Sequence, residues 1–202
     1  WSSDVCSSDL GPIAGGSWTE PSFWSGGTVP VASDVVQFGT GISGTITNVP
    51  NMSIAGLIID GGNVTLTRPA GGTNILTITN GTAAVDFSIA INSTLTLGNG
   101  INNTLSAGAA GSIAGQLTVN SDNTFTTNGA TTVTATGIIN NFGTAISPAI
   151  ANLIFQNGAT YIHAGNGGTI PTANWNIGAK TNITGVTDAA PGGPVLDRKS
   201  VV

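Results

Sequence analysis

The sequence predicts an all-β protein, specifically a right-handed parallel β-helix (β-solenoid). Short β-branched segments recur along the chain, and within them aliphatic residues alternate with Thr or Ser. Asn-Gly and Gly-Gly dipeptides separate these segments, and both residue types tolerate the positive φ angles of tight turns. No window repeats apolar residues at helical spacing over three turns. These observations favour short stacked strands over helices.

The predicted strands share one pattern, in which aliphatic and small polar residues alternate. Because successive side chains of a strand point to opposite sides, this pattern predicts one buried face and one hydrated face. In chain order the predicted strands are Val35–Phe38, Thr45–Thr47, Leu57–Ile59, Val64–Thr67, Ile75–Thr79, Val85–Ile91, Leu95–Leu97, Leu117–Val119, Thr131–Thr134 and Leu153–Phe155.

A degenerate repeat underlies these strands. It is clearest in four blocks, Leu76–Gly81, Leu95–Gly100, Leu117–Asp122 and Leu153–Gly158, whose starts are 19, 22 and 36 residues apart. The last distance suits two coils of about eighteen residues, and a period near twenty is typical of a solenoid. A β-sandwich is the alternative architecture, because it also contains many short strands. The repeated Leu-initiated block favours the solenoid.

Both ends of the chain resemble translated sequencing adapter. Trp1–Leu10 back-translates to TGG AGT TCA GAC GTG TGC TCT TCC GAT CT, and Asp197–Val202 to GAT CGG AAG AGC GTC GTG. We therefore expect both segments to be artefactual tails, and we exclude them from the fold prediction. Cys6 is the only cysteine and lies in the first tail, so we expect neither a disulfide nor a cysteine-based metal site in the remainder.

Between these tails we divide the chain into three parts. Residues 11–38 form an aromatic N-terminal cap and the first strand, residues 39–187 form the solenoid coils, and residues 188–196 form a linker rich in Pro and Gly. The artefactual tails are residues 1–10 and 197–202.

Charge is sparse in this sequence. Charged residues are 6% of the chain, against about 25% in ordinary soluble proteins. We expect no nucleic-acid partner, because a basic footprint is absent. We expect no membrane insertion of this segment, because no apolar run is long enough to span a bilayer. Residues 11–196 carry a net charge of −4 from Glu20, Asp34, Asp60, Asp86, Asp122, Asp188, Arg68 and Lys180.

An aromatic motif precedes the first predicted strand. Trp18 and Trp24 enclose five residues, and Ser-Gly-Gly-x-x-Pro and then Asp-x-Val-x-Phe, ending at Phe38, follow them. This arrangement resembles the start of β-helical modules in bacterial surface proteins, namely autotransporter passenger-like proteins and adhesins of the type IX secretion class. A second stretch, 161–186, which contains Trp175, resembles one that recurs in the latter group.

The resemblance implies an exported protein, located outside the cell or at the outer-membrane surface. It implies partners such as a surface polysaccharide or a ligand on a host or neighbouring cell. Trp18, Trp24 and Trp175 are then candidates for carbohydrate stacking. Capping is the favoured interpretation of these residues, because the ends of a solenoid must be covered and large aromatic rings bury much area.

The sequence offers little for catalysis. His163 is the only histidine, no carboxylates surround it for a zinc site, and no Ser lies in a Gly-x-Ser-x-Gly motif. Glycoside hydrolysis needs two facing carboxylates, yet Asp60 and Asp86 are 26 residues apart and Asp86 and Asp122 are 36 apart, neither of which matches one coil. We therefore predict no catalytic residue, cofactor or metal ligand.

Two further binding hypotheses receive weak support. The segments Asp60–Asn63 and Asp122–Asn123 are rich in oxygen ligands for calcium, but the nonapeptide calcium repeat is absent and turn geometry explains them more simply. An ice-binding face would require Thr-x-Thr pairs stacked in one regular ladder. Unequal spacing of the pairs favours ordinary outward Thr on strands. The pairs are Thr65/Thr67, Thr77/Thr79, Thr94/Thr96 and Thr132/Thr134.

The expected function is therefore that of a non-catalytic structural or adhesive segment of a secreted bacterial surface protein. The alternative is a carbohydrate-binding or accessory β-helix region of a polysaccharide-processing enzyme, since β-helices host many such enzymes.

Overall fold

The chain winds into parallel coils, and each full coil places one short strand in each of three sheets. The computed structural model describes residues 5–7, 13–81, 84–143, 145–146 and 150–193. Every strand pairing among these residues is parallel, and the stack is a β-solenoid of about 6 turns. The predicted fold class is thereby confirmed over the β-sandwich alternative, whose sheets are antiparallel.

The three sheets, here called A, B and C, are visited in that order along each full coil. Sheet A contains β1 Val5–Ser7, β3 Val35–Phe38, β6 Gly56–Ile59, β9 Phe87–Ile89, β12 Ala110–Ile113, β15 Ala130–Val133, β18 Leu153–Phe155 and β20 Asn174–Trp175. Sheet B contains β2 Ile13–Ser17, β4 Ile42–Thr47, β7 Asn63–Leu66, β10 Thr94–Leu97, β13 Gln116–Val119, β16 Ile138–Asn141, β19 Thr160–His163 and β21 Lys180–Ile183. Sheet C contains β5 Met52–Ile54, β8 Asn74–Ile78, β11 Ile101–Leu105, β14 Thr124–Thr127 and β17 Ala145–Ile146.

The alternating sequence pattern produces stacked ladders of side chains inside the solenoid. In β10 and β13 the burial alternates residue by residue, with Leu95, Leu97, Leu117 and Val119 fully buried. The parallel register places Leu95 beside Leu117 and Leu97 beside Val119. Each apolar residue therefore covers the one in the preceding coil, and this burial is the main source of stability.

The coil length in sheet B is constant from Thr94 to Thr160. Thr94, Gln116, Ile138 and Thr160 occupy one register position at intervals of 22 residues. The preceding step, from Asn63 to Thr94, is 31 residues. The paired strands therefore keep one side-chain register from coil to coil. The turns between the strands accommodate the differences in coil length.

The Leu-initiated blocks fall on different sheets. Leu95 and Leu117 are direct neighbours in sheet B. Leu76, however, lies on β8 of sheet C beside Met52, and Leu153 lies on β18 of sheet A beside Thr131. Similar local sequences on different faces produced the irregular spacing of the four blocks.

Both terminal regions take part in the stack where the structure describes them. Val5–Ser7, within the adapter-like tail, pairs with β3 through Val5 and Val35. At the other end, the amide N–H of Gly167 donates to the Ala189 carbonyl at 2.7 Å, within the segment predicted as a linker. The remaining adapter-like residues, 1–4, 8–10 and 197–202, lie outside the described residues.

Candidate functional site

An aromatic cluster fills the N-terminal end of the solenoid interior. Trp18 and Trp24 pack edge to face with ring centroids 5.1 Å apart, and Phe23 packs on Trp24 at 5.0 Å. The indole N–H of Trp24 donates to the Trp18 carbonyl at 2.8 Å. Trp24 also lies 6.0 Å from Phe38, which begins an inward ladder of sheet A. The cluster thus continues the core past its first full coil.

The burial of these rings can be compared with the two interpretations of the motif, capping of the core and carbohydrate stacking. Trp18 is 0% exposed and Trp24 is 2% exposed, as expected for residues that cover the end of a core. In this conformation neither ring presents a face to solvent. The carbohydrate-stacking interpretation of these two residues stays a prediction, and it requires the cluster to open.

Trp175 occupies the corresponding position at the other end. Its ring stacks on Phe155 with centroids 4.1 Å apart and an angle of 3° between the planes. The register of β18 and β20 makes Trp175 the last rung of an inward ladder of sheet A. The residue is partly buried. Because Phe155 covers one face of the indole, a ligand can meet only the opposite face.

His163 belongs to a buried chain of hydrogen bonds. Its Nε2 lies 2.6 Å from the Gly167 carbonyl oxygen, which can only accept, so Nε2 carries the proton. Nδ1 then accepts from the Tyr161 hydroxyl at 3.3 Å. The amide Nδ2 of Asn141 donates to that hydroxyl oxygen at 3.0 Å. Both ring nitrogens are therefore engaged in holding the loop after β19 against the core.

Tyr161 is the titratable group that this environment perturbs. Burial raises the pKa of Tyr161 to about 12, because the phenolate loses its hydration, and the hydrogen bond from Asn141 lowers the pKa in part. A phenol held neutral in this way serves as a hydrogen-bonding group between Asn141 and His163.

The carboxylates of Asp86 and Asp34 accept hydrogen bonds from backbone N–H groups. Asp86 is 2% exposed, and its two oxygens accept from the backbone N–H groups of Gly81 at 2.8 Å and Ala110 at 2.9 Å. Asp34 accepts from the N–H of Val31 at 2.8 Å. Over the part of the chain that the structure describes, no three His, Cys, Asp or Glu residues come together in a way that could hold a metal ion.

The Thr-x-Thr pairs do not share one face. Thr65 and Thr94 lie in sheet B, Thr77 in sheet C and Thr132 in sheet A. A different set of threonines forms a ladder one residue wide on the outer side of sheet B, where Thr45, Thr65, Thr96 and Thr118 stack in register. This ladder forms a polar, uncharged strip on the outer face of sheet B.

A groove lies at the corner where sheet B turns into sheet C, and we call it the B–C corner groove. It has a volume of about 320 Å³. Phe142, on its rim, is 43% exposed. The groove is lined by Asn99, Asn120, Ser121, Asp122, Asn123 and Phe142.

Sequence reasoning missed Phe142. The residue follows two asparagines and belongs to no motif. Only the 22-residue register reveals its position, because the N–H of Phe142 bonds to Val119 one coil back, just as the N–H of Asn120 bonds to Leu97. The signal that could have found it was the step from Asn120 to Phe142, once the coil length was known.

No family model, curated protein or solved structure matches the chain.

The helical segments among the described residues are two single 3₁₀ turns, Pro21–Phe23 and Ile150–Asn152, and neither could cross a membrane.

Proposed function

We propose that this chain is a non-catalytic structural or adhesive segment of a secreted bacterial cell-surface protein. The observation that carries the proposal is the uninterrupted stack of parallel coils, with apolar ladders inside and polar, mostly uncharged side chains outside. At about 4.8 Å per coil, six coils give a rod roughly 30 Å long. Such a rod separates whatever lies at its two ends and presents long lateral faces.

The chemistry of the lateral faces supports an adhesive role. Ladders such as Thr45–Thr65–Thr96–Thr118 offer hydroxyl groups in register along the rod axis. Hydroxyl and amide groups exchange hydrogen bonds with a polysaccharide without the salt sensitivity of charged contacts. A surface polysaccharide, or a ligand on a host or neighbouring cell, is therefore the partner class that we propose.

The resemblance of the Trp18–Phe38 region to modules of exported surface proteins supports the proposed location, outside the cell or at the outer-membrane surface. In this chain the motif residues Trp18, Trp24 and Phe38 form the end of the core. The residues that carry the resemblance are therefore the ones that cover the end of the core, a role that any solenoid needs at its first coil.

Two measurements test this function. Latex beads coated with the chain should adhere to surfaces carrying bacterial polysaccharide more than beads coated with albumin. The chain should release no reducing ends from the same polysaccharides over a day of incubation. Time-dependent release of reducing ends would overturn the non-catalytic assignment.

The structural role has its own readout. The chain inserted between an outer-membrane anchor and a terminal epitope should leave the epitope accessible to antibody on intact cells. Digestion of the inserted segment by added protease, with loss of the epitope, would contradict a role as a stable spacer.

The alternative function is a carbohydrate-binding or accessory region of a polysaccharide-processing enzyme. The half-buried ring of Trp175, stacked on Phe155 at one end of the rod, favours it. The two proposed functions predict different sequences next to this segment in the parent reading frame. An acid-rich module next to the solenoid supports the accessory role, and further solenoid coils with a sorting tail support the surface scaffold.

A further inference from the structure

We propose that the B–C corner groove is a binding site for a neutral saccharide, with the Phe142 ring against the C–H face of a sugar. This inference rests on the proposed adhesive function and names the ligand class and the place where it binds.

Three successive coils build the groove. Asn99 comes from the turn after β10, Asn120, Ser121 and Asp122 from the turn after β13, and Phe142 from the turn after β16. Because neighbouring coils are about 4.8 Å apart, these turns span roughly 10 Å along the rod axis. The walls belong to turns anchored by the regular 22-residue part of the stack, so the groove is held in place before a ligand arrives.

Phe142 differs from the other phenylalanines of the chain. It is 43% exposed, whereas the other five are at most 7% exposed. Exposed apolar residues are common on proteins and carry little weight alone. Here the exposed ring adjoins a concave polar surface, which is the combination that places a partly apolar, partly hydroxylated ligand.

The polar groups beside the ring are available to a ligand. Among the described residues, the side chains of Asn99, Asn120, Ser121 and Asp122 make no hydrogen bond to another residue, and Asn99, Ser121 and Asp122 are exposed. They offer two amides, a hydroxyl and a carboxylate, which together donate to and accept from sugar hydroxyls.

Charge decides between ligand classes. Among the described residues, the lining contains the carboxylate of Asp122 and no Lys, Arg or His. Phosphate groups, nucleic acids and uronic acids would meet an uncompensated negative charge in this groove. A neutral sugar ring has hydroxyl edges for the polar groups and a C–H face for Phe142, and it requires no cation.

A second groove provides the comparison. It lies at the corner between sheets A and B, has a volume of about 350 Å³, and is bordered by Ile91, Thr94, Gln116 and Thr136 among others. None of the lining residues that the structure describes is aromatic. Ile91 is 57% exposed. Substitution of Ile91 therefore removes a similar exposed apolar group from a groove that lacks the stacking ring.

Affinity electrophoresis tests the proposal, because the net charge of −5 moves the folded chain through a native gel. The probes are four neutral polysaccharides cast into the gel, namely dextran, galactomannan, xyloglucan and mixed-linkage glucan. At least one should retard the wild-type chain. Phe142→Ala should weaken that retardation by about tenfold or more, which corresponds to about 1.4 kcal/mol, because the C–H face of the sugar would lose the aromatic ring that covers it.

The controls separate binding from folding. Ile91→Ala and Phe142→Tyr should be retarded like the wild type, and all variants should keep its circular dichroism spectrum. Equal retardation of the Phe142→Ala and wild-type chains, or no retardation by any of the four polymers, overturns the proposal. Undiminished adhesion of beads coated with Phe142→Ala would overturn this site while leaving the adhesive function in place.

Discussion

Tyr161 is a buried hydroxyl whose ionisation is coupled to folding. It is the only tyrosine in the chain and is 0% exposed, between Asn141 and His163 in the buried hydrogen-bond chain. The hydrogen bond from Asn141 offsets only part of the cost of burying a phenolate. The fold therefore holds the hydroxyl in its neutral form, and stability depends on that form.

We predict that stability falls between pH 10 and pH 12. Burial raises the pKa of Tyr161 from 10.0 to about 12, so the unfolded chain loses this proton before the folded chain does. Stability associated with the neutral phenol is complete below pH 10 and is lost as the pH rises through 12. A shift of this size corresponds to roughly 2–3 kcal/mol. Urea unfolding followed by circular dichroism at a series of pH values measures the loss.

A spectroscopic titration checks the same prediction without unfolding the whole population. Tyrosinate absorbance should rise near pH 12 in buffer and near pH 10 in concentrated urea. Tyr161→Phe should remove the step from both titrations and abolish this part of the pH dependence. A folded chain whose tyrosine titrates near pH 10 would contradict the burial that the structure shows for Tyr161.

At the scale of single elements, the turns between coils control how closely the coils approach. Gly129 lies in the turn before β15, and a Cβ added there would meet the carbonyl oxygens of Ala109 and Ser106, the latter at 2.7 Å. Both are backbone atoms of the preceding coil and cannot rotate away. A side chain at this position therefore has to separate two coils.

We predict that Gly129→Ala lowers the free energy of unfolding by about 1–3 kcal/mol, the usual effect of overpacking. Denaturant unfolding of the purified variant measures it. Gly39→Ala is the matched control, because a Cβ at Gly39 has no atom within 4 Å and its φ is not in the left-handed region. A Gly129→Ala chain as stable as Gly39→Ala would show that the turn tolerates a wider coil spacing.

The strands that the sequence predicted are those with clear aliphatic alternation. Val35–Phe38 and Leu153–Phe155 begin and end where the pattern predicts. Ala110–Ile113 and Thr124–Thr127 were missed, because each contains few large aliphatic residues: the first begins Ala-Gly-Ser, and the second has Thr at three of its four positions. These strands form because they pair with strands of the preceding and following coils. A short stretch of sequence does not show which residues lie in those coils.

The candidate sites were predictable to different degrees for the same reason. The aromatic cluster at Trp18 and Trp24 is local in sequence, so its place at the end of the core could be predicted from its position just before the first predicted strand. The corner groove joins Asn99, Asp122 and Phe142 from three coils. Its residues are brought together only by the register of the stacked coils. That register is hard to recognise in the sequence, because the first coils differ in length.

At the scale of the whole molecule, the solenoid is a one-dimensional stack in which each coil contacts mainly its neighbours. The inward ladders run through several coils, as from Val64 through Leu95, Leu117 and Ile139 to Tyr161 in sheet B. Stability is then close to a sum of coil and interface contributions. The molecule should therefore tolerate the loss of a whole coil better than the loss of a fraction of one.

We predict that a chain lacking residues 116–137 still folds cooperatively, with a lower stability. The deletion removes one 22-residue repeat and joins Gly115 to Ile138. In the native stack the N–H of Gln116 donates to Ser93 at 2.9 Å, and Ile138 can take over this bond because it holds the same register position. Leu95 would then pack beside Ile139, which keeps an apolar rung in the ladder.

Circular dichroism and urea unfolding distinguish the outcomes. The shortened chain should keep a β-sheet spectrum, and its denaturant m-value should fall by about a tenth, because 22 of 202 residues are gone and m scales with the surface exposed. Deleting residues 116–126, half a repeat, removes β13 and most of β14 and joins Gly115 to Thr127, so the coil loses its strands in sheets B and C. This chain should not unfold cooperatively. Equal stability losses for the two deletions would mean that register does not govern the stack.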